Sequence, residues 1–365
     1  MQQNKNISLF QLSTLLITFM MGTTIIINPE INFAGQTGWL ADIVGLILGI
    51  VSVGLFIKLH QPYLFKKNIV QIAEMTGGKT FKIIISILYL YFAIHLGALN
   101  LRIIADFLTM VIMPNMPLIV ISGILTLIIS YAVWMGVETI GRVGQIILPV
   151  VLFIFGVLLL LSLPGYQVSN LIPINGNIAG ILRGGLFIWS FPLGNLILFS
   201  FLLPYVKVNK KSKIKLKQYS YYVAGAMLIG GLILTMRTVA LTMIMGPKLS
   251  SVFTYPIFSM VGVINIADFL ERLETAFLIM WIGTVFIQVL ICFWVAVETS
   301  SMLTSNVGKN FFILPLAVIL TGFTQFLFEN YTEQYQFLLH TWPLYTIIFI
   351  FVLPLIIYLL DKVSS

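Results

Sequence analysis

Two short stretches hold the residues with the most chemical potential. One is "MMGTTIIINPE", Met20 to Glu30; the other is "SFPLGN", Ser190 to Asn195. Each interrupts a long apolar run. Gly22 weakens a helix, and Pro29 has no N–H to bond back to residue 25. Asn28 and Glu30 are costly if they face lipid. Pro192, Gly194 and Asn195 break the second run in the same way. Irregular backbone at membrane depth is tolerated only where it lines a cavity or is buried in protein. The chemistry these stretches suggest is non-covalent binding of a small ligand at a helix break. Either break taken alone also fits an ordinary kink.

Other side chains offer weaker signals. His95 lies well inside an apolar run, where it would carry a proton or simply bond between helices. Arg102, Asp106, Arg237, Glu271, Arg272 and Glu274 fall near the ends of runs. Arg102 and Asp106 are one helical turn apart and can pair. The group reads as a salt-bridge network closing a mouth; its rival role is a first encounter site for a zwitterion. Glu138 and Arg142 form a local pair with no function implied. One Cys and three scattered His, at 60, 95 and 340, give no zinc spacing. No nucleophile elbow or phosphate loop appears. No metal, cofactor or enzymatic activity is expected.

The elements that must position these residues follow from composition. The chain has 365 residues, 59% hydrophobic and only 9% charged, against about a quarter charged in a soluble domain. Runs of about 20 apolar residues, enough to cross a bilayer, recur throughout. They predict ten spans, at 8–34, 38–58, 82–113, 117–137, 142–163, 180–206, 218–246, 269–303, 310–328 and 340–361. A single integral membrane domain, 1–365, accounts for the chain. The stretch from Gly246 to Asp268, with Pro247 and Pro256, reads as a short interfacial helix. The first run has no small-x-small exit and is followed by many spans, so a cleaved leader is not expected.

Charge sets orientation. With the N-terminus inside, 15 of the 20 Lys and Arg fall in cytoplasmic segments, six of them between Lys207 and Lys217. That bias places both termini in the cytoplasm. The lysine-rich segment is then a topology signal that also touches anionic lipid, rather than a nucleic-acid patch. The first span starts inside and the sixth outside. The interrupted spans therefore open two five-helix halves of opposite orientation, 8–163 and 180–361. The predicted class is an all-α membrane protein with two inverted repeats and broken spans 1 and 6, a transporter-type core with its site at the breaks.

Longer stretches carry a resemblance. "INPEINFAGQTGWLADIVGLILGI" resembles the junction of spans 1 and 2 in the spore germination permease family, the B subunits of endospore nutrient germinant receptors. "TYPIFSMVGVINIADFLERLETAFLIMWI" is similar to that family's external segment running into span 8. The Arg102-x-x-x-Asp106 pattern, the lysine-rich loop after Pro204 and the chain length agree, so the resemblance runs end to end. It implies membership of the amino acid–polyamine–organocation superfamily. It also implies a nutrient-sensing subunit in the inner membrane of the spore, partnered by an A subunit and a lipoprotein C subunit. In that superfamily an amino-acid ligand sets its carboxylate on N–H groups exposed at the span 1 break, with its ammonium facing free carbonyls. Gly22, Thr23 and Thr24 match the family's small-residue break, with Thr in place of the second small residue. Ser190, Pro192 and Gly194 correspond in span 6. Spans 3 and 8 line the same cavity in that fold, which adds Tyr91, His95, Thr284 and Gln288.

Two function classes follow. One is a receptor subunit that binds a nutrient and changes conformation. The other is a secondary transporter moving amino acids with a proton or sodium ion. After Arg142 the fifth span has no Lys, Asp or Glu; some superfamily symporters keep an ionisable residue there, so its absence leans toward the receptor.

Overall fold

The computed structural model describes residues 6–22, 27–172, 177–207, 216–263, 273–304 and 307–364. Local sequence sets the start of the first helix. The Ser8 hydroxyl accepts from the Gln11 N–H at 3.1 Å and the Gln11 side chain accepts from the Ser8 N–H at 2.8 Å, a reciprocal cap that satisfies two otherwise orphaned donors. Helix α1 (Leu9–Met21) runs from there to Gly22. The chain resumes as α2 (Pro29–Ala34), with Pro29 in the first turn, where its missing N–H costs nothing. So the first apolar run is two short helices with a break between them. Thr23 and Thr24 lie outside the described residues.

Helices α3 (Gly38–His60), α4 (Ile69–Phe107), α5 (Leu118–Met135) and α6 (Val137–Ser162) follow. An Asn68–Gln71 capping box starts α4, thirteen residues before the predicted span at 82. The reason is Gly78, whose φ of +76° puts an elbow there that residues with a Cβ rarely adopt. A short amphipathic helix therefore leads into the membrane-length part.

The sixth apolar run is also split. Helix α7 (Ile178–Ser190) ends at a cis Phe191–Pro192 bond, and a 3₁₀ helix covers Leu193–Tyr205. Runs of 3₁₀ beyond three or four residues are uncommon. At about 2.0 Å per residue this one reaches about 26 Å, some 6 Å further than the same residues in an α-helix.

The rest comprises α8 (Leu216–Val252), α9 (Pro256–Val263), α10 (Leu273–Leu303) and α11 (Lys309–Phe326), then α12 (Tyr331–Gln336), α13 (Trp342–Ile347) and α14 (Leu353–Ser364) joined by wide turns. Gly246, at φ +68°, bends α8 where the predicted span ends. A short helix, α9, is present in the stretch after it. Among the described residues nine helical segments are long and apolar enough to cross a membrane, and Leu9–Met21 is a shorter apolar helix.

The broken run Ile178–Tyr205 is almost wholly buried, whereas α6 and α11 present Phe153, Leu314 and Val318 outward. Lipid tails are as apolar as Leu, so association rests on close packing at small residues. Gly184 sits against Ala41, Gly185 against Val44, Gly230 against Met20 and Gly231 against Leu46. These contacts draw α1, α3, α7 and α8 together around the two breaks.

One end of the bundle is tied shut. The Ile7 N–H donates to the Tyr205 carbonyl and the Lys207 N–H to the Ile7 carbonyl, both at 2.8 Å. Beside them Lys309 bonds Glu298 and Tyr205, and Tyr205 donates to Glu298 at 2.8 Å. This is the end that carries the lysine-rich segment.

Candidate functional site

The break after α1 meets α10. Gln288 Nε2 donates to the Phe19 carbonyl at 2.8 Å, a last-turn acceptor that the Gly22 N–H also reaches, at 3.3 Å. The amide lies directly over Gly22: a Cβ there would fall 1.9 Å from Gln288 Cδ. Gly22 and Gln288 are thus brought together, and only a residue without a side chain fits between them. Thr284, one turn earlier on α10, is fully buried and donates to the Trp281 carbonyl at 2.7 Å.

At the other break, Ser190 donates to the Phe187 carbonyl at 2.9 Å and Pro192 follows the cis bond. Gly194 is packed: an added Cβ would meet Ile350 Cδ1 at 2.4 Å and the Trp189 carbonyl at 2.9 Å. Its lack of a side chain serves contact with the last helices.

Tyr91 and His95 fall elsewhere. On α4, Gly97 packs against Cys292 of α10. His95 is two residues earlier, about 200° around the helix, and Tyr91 shares its face. Both line a side cavity of about 570 Å³ with Phe323, Phe337 and His340. His95 Nδ1 lies 3.1 Å from the Tyr345 hydroxyl, among the rings of Phe323, Phe337 and Trp342. The four residues expected in one cavity are split because opposite faces of α4 meet different neighbours. The sequence gives spacing along a helix but not which face meets which partner.

The end charges sort, among the described residues, into two buried clusters. Arg102 pairs with Asp106 at 2.9 Å, and its Nη1 donates to the carbonyls of Thr324 and Gln325 in the last turn of α11. Arg237 of α8 pairs with Glu30 of α2 and lies 3.9 Å from Asp42 of α3. Glu30 and Asp42 are completely buried and Arg237 is 3% exposed. Glu274 is exposed at the start of α10; Glu271 and Arg272 lie outside the described residues. Asp42 is the residue that sequence reasoning passed over. An acid five residues into an apolar helix was itself a signal, since such a group is expensive unless partnered.

Above the Glu30 cluster, a cavity of about 160 Å³ is lined by Asn28, Asn32, Ser250, Thr254, Tyr331 and Tyr335. Asn28 Nδ2 donates to Glu30 Oε1 at 3.0 Å, so one side chain joins the polar vestibule to the buried charges. The lining supplies hydrogen bonds and no net charge, which suits a small neutral or zwitterionic molecule. Among the described residues no group of three or more His, Cys, Asp or Glu is placed to hold a metal ion.

Comparisons with known proteins bear on this arrangement. The sequence model of a family described as "Spore germination protein" matches residues 6–334. The chain is 26% identical over 342 residues to the putative spore germination protein YfkT of Bacillus subtilis (strain 168), covering 91% of this chain and 89% of that one. It is 23% identical over 347 residues to spore germination protein KB of the same organism, covering 94% and 91%. Among solved structures, the nucleobase-cation-symport-1 transporter Mhp1, closed with bromovinylhydantoin bound, aligns with a TM-score of 0.68 at 13% identity, covering 92% of this chain and 75% of that one. MhsT in complex with L-phenylalanine aligns at 0.61 and 15% identity, covering 97% and 98%. These structures establish a transporter-like fold and a multi-pass membrane protein; at such identity they say nothing of substrate.

Proposed function

The chain belongs to the spore germination permease family, and from that premise we propose that it is the membrane subunit of a nutrient germinant receptor. It binds a small nutrient, an amino acid first among the candidates, between the breaks of its first and sixth apolar runs. The observation that carries the proposal is the fit of Gln288 over Gly22. The C-terminal end of α1 is covered there by one neutral amide, which a ligand ammonium can displace from the Phe19 carbonyl. In this reading residues 8–163 and 180–361 are two inverted five-helix halves, each opening with its broken run. Both termini are cytoplasmic, in the inner membrane of the spore. An A subunit and a lipoprotein C subunit carry the signal onward.

A second reading is a secondary amino-acid transporter coupled to a proton or sodium ion; it is favoured by the two transporters that share the fold. Two measurements test and separate them. Spores carrying Gly22→Val in place of the wild-type chain should lose the response to single amino acids at unchanged protein level. The purified chain alone should give no gradient-driven uptake in liposomes. Robust uptake there, driven by a proton or sodium gradient, replaces the receptor by the transporter.

A further inference from the structure

The cluster at Glu30, Asp42 and Arg237 has an odd charge count. Glu30 Oε1 accepts from Arg237, from Asn28 Nδ2 at 3.0 Å and from Thr238 Oγ1 at 3.1 Å. Asp42 sits 3.9 Å from Arg237 Nη2, beyond hydrogen-bond reach, and neither of its oxygens has a hydrogen-bond partner among the described residues. Among the described residues, two carboxylates thus share a buried pocket with one guanidinium. Helix α7 seals it with Gly184, which packs against Ala41 and the Glu30 backbone.

Charge balance decides the occupant. A buried carboxylate without a full countercharge costs several kcal/mol even after relaxation. Two acids beside one cation relieve that cost by binding one proton. Hydrogen bonding chooses the seat. Glu30 Oε1 accepts from Arg237, Asn28 and Thr238, whereas both Asp42 oxygens lack a donor among the described residues, and a buried carboxyl without donors is less costly neutral than charged. A metal cation is the poorer occupant, because the Arg237 guanidinium stands 3.9 Å from the same oxygen and would repel it. Among the described residues, the groups facing the pair are Arg237 and Thr238 from α8, Asn28 from α2 and glycines from α7. Tyr335 of α12 lies further out and bonds Asn32. Arg183 of α7 is exposed.

We propose that Asp42 is a proton-binding site, and that Arg237 is shared between Glu30 and Asp42 according to whether that proton is bound. The proton-bound form is the one described, with Arg237 on Glu30. Loss of the proton gives Asp42 a full charge and draws the guanidinium toward α3, loosening α2 at the end of the break. The site is read without any nutrient, so its test stands apart from that of the receptor reading.

The test is infrared spectroscopy of the full chain in lipid nanodiscs at neutral pH. The expected result is a carboxylic-acid C=O band that shifts down in D2O and shifts again when aspartate is labelled with ¹³C at its side-chain carboxyl. Asp42→Asn, which mimics the protonated acid in shape, should lose the band. Asp106→Asn should keep it, because Asp106 is matched one to one by Arg102. Absence of the band, or a band blind to the aspartate label, overturns the proposal in the unmodified chain, whatever the folding of the variants. A band that persists in folded Asp42→Asn overturns it too.

Discussion

Gln288 and Gly22 occupy one another's space: the amide that bonds the Phe19 carbonyl at 2.8 Å fills the volume a Cβ on Gly22 would need. Gly22→Ala must push Gln288 off that carbonyl. The dose response to nutrient should shift to much higher concentration or vanish. Gln288→Ala removes one neutral hydrogen bond, about 1 kcal/mol or roughly fivefold in half-maximal concentration. The pair Gly22→Ala/Gln288→Ala should keep protein level and should not recover the full response. A response unchanged in both single variants would make the break a kink only.

Arg237→Met strands the Glu30 carboxylate in a sealed pocket. Breaking a buried pair from one side costs about 3–5 kcal/mol. Thermal unfolding in detergent should show a large loss, and Glu30→Gln/Arg237→Met should be milder than Arg237→Met alone. Equal losses would mean that the two groups are energetically independent.

Arg102 touches more than Asp106. Its bonds to the Thr324 and Gln325 carbonyls place a cation on the C-terminal end of α11, where the helix dipole favours it. Arg102→Met should therefore destabilise more than Asp106→Asn. Hydrogen exchange should rise specifically at the end of α11 in the first variant and not in the second.

Orientation is checked by reporters. A fusion after Lys217 should read cytoplasmic, and one between Pro247 and Pro256 external. The opposite pair of results would remove the ten-span arrangement.

What the sequence determined by itself was local. Apolar runs long enough for a bilayer, glycines and prolines that interrupt two of them, and a lysine bias between loops are each properties of a few neighbouring residues. Backbone hydrogen bonding in lipid turns them into helices and breaks. The split at Gly22–Pro29 and the split at Pro192 were legible for that reason.

Only the tertiary structure decided which faces meet. Arg237 finds Glu30 across 207 residues of sequence because α2, α3 and α8 converge at one end, with Gly184 and Gly185 of α7 holding them close. Tyr91 and His95 turn away from α10 because Gly97, 200° around α4, is the residue that packs on Cys292. The 3₁₀ winding of Leu193–Tyr205 is likewise a response to neighbours, since the same apolar residues would serve an α-helix. Helix rotation costs nothing in an isolated span. It is fixed by contacts between helices far apart in the chain, and a pattern of residue types along one helix carries no record of them.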